Sequence, residues 1–222
     1  MRGPRRLLGS GVCFIIGALG LLVPIGAGAV SEDIPKGQIE AEAAAAHELA
    51  EACARSACRT ESRELRLKSS AGGEWGIKTQ LFPYTDKGQI LLYAGETIEV
   101  EFAADGKAMD KPRFLRVVAP GGGQNDPVPS PDPNVTATMT LELKQMENKP
   151  DMTLIIRSTL GFMIKYDAYM FVPTKDGMRS IYTSSCPIIP RGSAYETWPQ
   201  EIAMLALTDF RVVSERDAGS CN

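Results

Sequence analysis

The sequence has almost no histidine: one residue in 222, His47. That scarcity excludes most familiar hydrolytic chemistry. A Ser-His-Asp or Cys-His nucleophile needs a base beside it, and no histidine follows residue 47. Cys186, in Ser184-Ser185-Cys186-Pro187, has no base unless the segment around His47 folds back onto it. A zinc site meets the same shortage of ligands once the cysteines are oxidised. His47 itself reads as a solvated helix residue. Cysteine is also sparse, at 5 residues, and no Cys-x-x-Cys redox motif occurs. Basic residues number 24 against 27 acidic ones. A chain of that balance has no electrostatic footprint for DNA or RNA and no reason to adhere to anionic lipid heads. No catalytic or cofactor signature appears anywhere in it.

Long apolar runs are confined to the N-terminus. Arg2, Arg5 and Arg6 are followed by an uncharged stretch from Leu7 to Ile25, then by Ala27-Gly28-Ala29. This is the three-part layout of a secretory signal peptide, and it predicts cleavage after Ala29. The stretch is long enough for an uncleaved anchor, but Pro24 and several glycines interrupt it. Cys13 lies mid-run, which is wrong for lipid attachment. Cleavage removes three arginines and no acidic residue, so the mature chain is more acidic still. No later run can cross a membrane, and no stable insertion is expected after cleavage.

An exported chain reads its even remainder of cysteines, Cys53, Cys58, Cys186 and Cys221, as disulfides. Cys53 and Cys58 are five apart in a helix-like segment, where their side chains diverge. Bridges from that helix to the distant cysteines are therefore expected, Cys58–Cys186 with Cys53–Cys221.

After a polar lead, the Ala/Glu-rich stretch 38–57 predicts a helix. Ala46, Leu49, Ala50, Cys53 and Ala57 form its weak apolar stripe. Residues 30–60 thus make a helical segment that packs lightly and is tied down by its cysteines. From Arg63 the period changes to two. Glu64–Lys68, Glu96–Phe102 and Thr136–Lys144 alternate, with Ile98, Val100, Phe102, Met139, Leu141 and Leu143 inward and the glutamates toward water. Further strands are expected at 75–81, 89–93, 113–118, 152–158, 164–172 and 179–184. Turn chemistry at Gly72-Gly73, Asp86-Lys87-Gly88, Asp105-Gly106 and Asp176-Gly177 separates them. Pro199 and Glu201 would suit a helix start, but the strand-like continuation Phe210–Val213 favours a strand from about Ile202 to Val213. Pro120 to Pro133 forms a Pro/Gly-rich loop. Together these predict an all-β, antiparallel, immunoglobulin-like β-sandwich over residues 61–222, preceded by the signal peptide and a short helix.

Candidate sites are few. Methionines fall in or near strands without a Met-x-x-Met cluster and read as core; copper binding would need more. Asn125, Asp126, Asp132 and Asn134 offer oxygens for calcium but match no loop motif. Asn134-Val135-Thr136 fits a glycosylation acceptor. Two facing carboxylates would make a glycan hydrolase, yet most acidic residues take the outward phase of strands. Two features favour binding. Tyr195 and Trp198 sit in a predicted loop and are common interface anchors. Tyr169 and Phe171 share one face of a strand. The Pro-rich loop also has a rhythm suited to docking as polyproline II.

The segments Cys58–Glu64, Lys165-Tyr166-Asp167-Ala168 and Thr183–Pro187 resemble those of small exported bacterial proteins with an immunoglobulin-like β-sandwich, a family to which no activity is attached. The resemblance implies a periplasmic location and this fold, and assigns no site residue. The paired basic anchor of pilus-assembly chaperones does not occur. The chain is thus expected to be a periplasmic or secreted binding module for a protein or envelope component, without a cofactor. A carboxylate-based glycan hydrolase and a metal-handling protein for copper or calcium are the alternatives.

Overall fold

A computed structural model describes residues 36–102, 109, 111–119 and 137–214. The leader 1–29, the Pro/Gly-rich loop 120–133, the glycosylation triplet and Cys221 lie outside the described residues. A helix, α1 (Lys36–Arg55), is followed by strands β1 (Glu64–Lys68), β2 (Glu74–Lys78), β3 (Thr85–Asp86), β4 (Gln89–Tyr93), β5 (Glu96–Phe102) and β6 (Arg113–Val117). Then come β7 (Ala137–Gln145), β8 (Met152–Ser158), β9 (Ile164–Thr174), β10 (Gly177–Ser184), β11 (Ser193–Trp198) and β12 (Met204–Val212).

The strands form two five-stranded sheets, ordered β10-β9-β12-β4-β3 and β11-β8-β7-β5-β6, with β1-β2 as a separate hairpin. Every pairing is antiparallel. The alternation in β7 sets the register: Leu141 lies opposite Ile98 on one side and Ile156 on the other, and all three are fully buried. A one-residue slip would turn this row to solvent. The other sheet contributes Ile90, Leu92, Tyr166, Ala168, Leu205 and Leu207 to the same core. Leu65 and Leu67 of the small hairpin complete it. Gln145 stitches that hairpin to β7, accepting from the Lys68 amide at 2.8 Å and donating to the Lys68 carbonyl at 2.9 Å. The fold is all-β and sandwich-like, as the period-two patterning predicts.

Two turns shape the region between the sheets. β3 and β4 are joined by Lys87-Gly88, both with positive φ (49° and 87°), as a tight hairpin whose twist matches its strands requires. The chain then crosses from one sheet to the other between β4 and β5. At Gly95 φ is 76°, and the Gly95 amide donates to the Leu143 carbonyl at 2.7 Å.

The structure corrects several expectations. Cys53 and Cys58 are bonded to each other, with Cα atoms 5.3 Å apart, so neither predicted long-range bridge forms. The reason is that α1 stops at Arg55. The Ser56 amide still donates to the Ala52 carbonyl, but Cys58 already bridges Pro83 in extended conformation. Helical spacing therefore no longer separates the two side chains. Cys186 is also disulfide-bonded. Of the predicted stripe, Leu49 and Cys53 are half-buried while Ala46, Ala50 and Ala57 are exposed, and Ala52, outside it, is buried. Glu96 and Glu101 are buried, not solvated, because each meets an arginine. Residues 193–198 form the edge strand β11 rather than a loop. The stretch after Pro199 forms the expected strand, from Met204 to Val212.

Candidate functional site

The densest polar arrangement lies where the chain crosses between the sheets. The Arg59 guanidinium is buried and meets Glu96 through Nε to Oε1 at 2.7 Å and Nη2 to Oε2 at 2.5 Å. Its remaining donors reach the carbonyls of Phe82 (3.0 Å), Pro83 (3.2 Å) and Leu91 (2.8 Å). The rings of Tyr84 and Tyr93 lie 4.3 and 4.7 Å from its central carbon. Glu96 also accepts from the Tyr93 amide at 2.8 Å, and Arg63 stands 3.6 Å away. Every guanidinium donor and both carboxylate oxygens are engaged, as a buried pair requires. Burial, then the neighbouring Glu96, raises the Tyr84 hydroxyl above its usual range against the pull of the arginines. Burial likewise raises Tyr93, opposed first by the Gln80 amide that donates to its hydroxyl. Both phenols stay neutral.

This hub is a platform rather than a reactive centre. On it rests an open cleft of about 500 Å³. Tyr84 stacks on Phe114 of β6 at 4.1 Å and 9°, and Phe114 lines the cleft. One wall is Arg55-Ser56-Ala57, the turn closed by the Cys53–Cys58 disulfide. The floor is Thr85 to Gly88, and the far wall runs from Lys111 to Phe114. The walls are pinned together: Ser56 and Thr85 hydroxyls lie 2.9 Å apart, and the Tyr84 amide donates to the Ala57 carbonyl at 3.0 Å. Among the described residues, four cations line this space, Arg55, Lys87, Lys111 and Arg113, with one carboxylate, Asp86.

The residues singled out in the sequence are not brought together. Tyr195 is 57% exposed on the edge strand β11, and Trp198 on the same strand packs partly against the core. Tyr169 lies in β9, inside the other sheet, edge-on to Tyr182 at 5.5 Å. Phe171 is buried, at 4% exposure, and belongs to the core rather than to a surface. His47 is 76% exposed with Glu51 at 3.8 Å. Because Cys186 is in a disulfide, it carries no thiol. Among the described residues no group of three or more His, Cys, Asp or Glu is placed to hold a metal, and no helix is long and apolar enough to cross a membrane.

Sequence reasoning missed Arg59, Glu96, Lys111 and Arg113. No fixed spacing marks them. The one available signal was an arginine directly after Cys58, and a disulfide next to it fixes that arginine's backbone. Comparison of the chain with known protein families, curated proteins and solved structures finds no match.

Proposed function

We propose that the chain is a periplasmic or secreted binding module with an immunoglobulin-like sandwich, acting on a protein or envelope component rather than turning over a substrate. The observation that carries this reading is the cleft beside the Cys53–Cys58 turn. It is an open concavity of mixed polar and apolar lining, joined to the buried Arg59–Glu96 hub through the Tyr84–Phe114 stack. Among the described lining residues Asp86 is the one carboxylate, and there is no histidine or thiol. Three disulfide-bonded cysteines, Cys53, Cys58 and Cys186, suit an oxidising compartment, in accord with the leader at Met1–Ala29.

The test is expression of the tagged full chain in its native host, followed by fractionation and crosslinked pull-down from the envelope fraction. An exported product starting at Val30 and one saturable partner are expected. A chain that stays in the cytosol with its leader intact, or captures nothing above background, overturns the reading.

A further inference from the structure

We infer that the cleft binds a multivalent oxyanion, a small molecule bearing phosphate or clustered carboxylate groups. This rests on the binding-module reading and names its ligand chemistry. The first ground is charge. In an acidic chain, the described lining of a single open concavity holds four cations and one carboxylate. A concave, low-dielectric wall focuses that field and raises the local concentration of anions.

The second ground is that the cations are available. Lys111 has no ionic partner among the described residues, and its stem lies over the β3–β4 turn, with Cγ 3.6 Å from where a side chain at Gly88 would begin. Lys87, the turn residue beside Gly88, reaches back to Glu48 at 3.2 Å with 61% of its side chain exposed. Arg113 is held by the buried Glu101, but Arg55, 50% exposed, pairs only loosely with Asp86 at 3.5 Å and Glu51 at 3.9 Å. Exposed pairs of this kind are weak and salt-screened. An entering oxyanion can recruit Lys111 and draw Lys87 and Arg55 from these partners, while Arg113 keeps its pair with Glu101.

The third ground is preorganisation. The disulfide fixes Arg55, the tight turn fixes Lys87, and the Tyr84–Phe114 stack fixes the strand that carries Arg113. The backbone needs little ordering on binding, which leaves the exposed side chains to be immobilised. Among the described lining residues Asp86 is the one carboxylate, and it lies 3.5 Å from Arg55. Two guanidinium forks and two ammonium groups match several oxygens at once; a neutral sugar would leave them unanswered.

The experiment is calorimetric titration of the exported full chain with tripolyphosphate, with citrate and with a neutral disaccharide, at low and high salt. Vesicles containing anionic lipid form a further arm, which separates a free ligand from a headgroup. The variant pair is Lys111→Glu with Lys87→Gln. Its charge-matched control is Arg179→Glu with Lys175→Gln, at and beside the β9–β10 turn.

Saturable binding of tripolyphosphate or citrate is expected, weakened by salt, with no response to the disaccharide. The cleft variant weakens it about tenfold while the control does not. Equal loss in both variants would reduce the effect to the general field of the protein and overturn the site. No saturable anion binding, with melting unchanged, overturns it as well. A protein partner still captured by the cleft variant would sink the anion site and leave the binding-module reading standing.

Discussion

Arg59 and Glu96 form a bidentate ion pair inside the protein, at 2.7 and 2.5 Å, with neither side chain more than 8% exposed. Arg59 comes from the segment after α1 and Glu96 opens β5, so the pair fastens the N-terminal segment to the sheet crossover. Its energetics are asymmetric. Burying both charges is costly, and their mutual satisfaction only offsets that cost. Removing one partner leaves the other stranded. Glu96→Ala or Arg59→Ala is expected to cost about 3–5 kcal/mol. Arg59→Lys should fail to rescue, since one ammonium cannot replace a planar fork stacked between two rings. Urea unfolding at neutral pH reads both; a loss within the range of surface substitutions would show that the pair fastens nothing.

The Cys53–Cys58 bridge makes a covalent prediction. Trypsin cuts after Arg55, between the two cysteines. A non-reduced digest should therefore yield the peptide Ser56–Arg59 still linked to the end of α1. A link from Cys58 to the Cys186 peptide would refute the pairing. Replacing both residues with serine is expected to cost about 2 kcal/mol, because the closed loop is short. It should also loosen the Arg55–Ala57 wall, so that anion binding falls with stability.

The strands were legible because burial on one face imposes a period of two, which β1 and β7 carry plainly. The helix was legible in extent but not in orientation, because an alanine-rich surface offers many similar stripes and, among its described side chains, only Ala52 is buried. The disulfide was misread for a local reason: helical spacing was extended three residues beyond the helix end at Arg55. Glu96 and Glu101 were misread because alternation assigns a face and cannot announce an arginine waiting on it. The cleft was invisible for a different reason. Arg55, Lys87 and Lys111 are far apart in sequence, and only the β3–β4 turn and the crossover bring them together.

Glu201 makes an acid-limb prediction. It anchors the small hairpin, accepting from the Ser70 amide, with the Ser70 hydroxyl at 3.4 Å. Burial raises its carboxyl, but hydrogen bonds from its own backbone, from Ser70 and from Ser69 outweigh this and hold it below its usual range. A depressed carboxyl contributes stability above its unfolded pKa and loses it as pH falls through the folded one. Stability should therefore drop on acidification below the ordinary carboxylate range. Glu201→Gln should flatten that limb and cost about 1–3 kcal/mol at neutral pH. Amide exchange at Ser70 would report the loss locally.

Glu196 should behave in the opposite sense. Burial lifts its carboxyl above the usual range, although Tyr166 and the Cys186 amide, donating at 3.1 Å, pull it down. Tyr166 is fully buried beside it, and burial followed by the Glu196 charge raises its phenol well above 10.0. The two groups interact, yet the hydroxyl makes no hydrogen bond of ordinary geometry. A raised carboxyl contributes stability below its unfolded pKa and loses it as pH climbs through the folded value. Wild-type stability should therefore carry a component that falls as pH rises just above the ordinary carboxylate range. Glu196→Gln should remove that slope and be neutral or stabilising at pH about 7. Tyr166→Phe, which deletes an unsatisfied buried hydroxyl and keeps the ring against Phe210, should cost little or stabilise. Paired urea titrations on either side of the carboxylate range decide the matter. A Glu196→Gln protein that keeps the wild-type slope would place the titrating group elsewhere, and a Tyr166→Phe protein destabilised by several kcal/mol would mean that the hydroxyl is bonded after all.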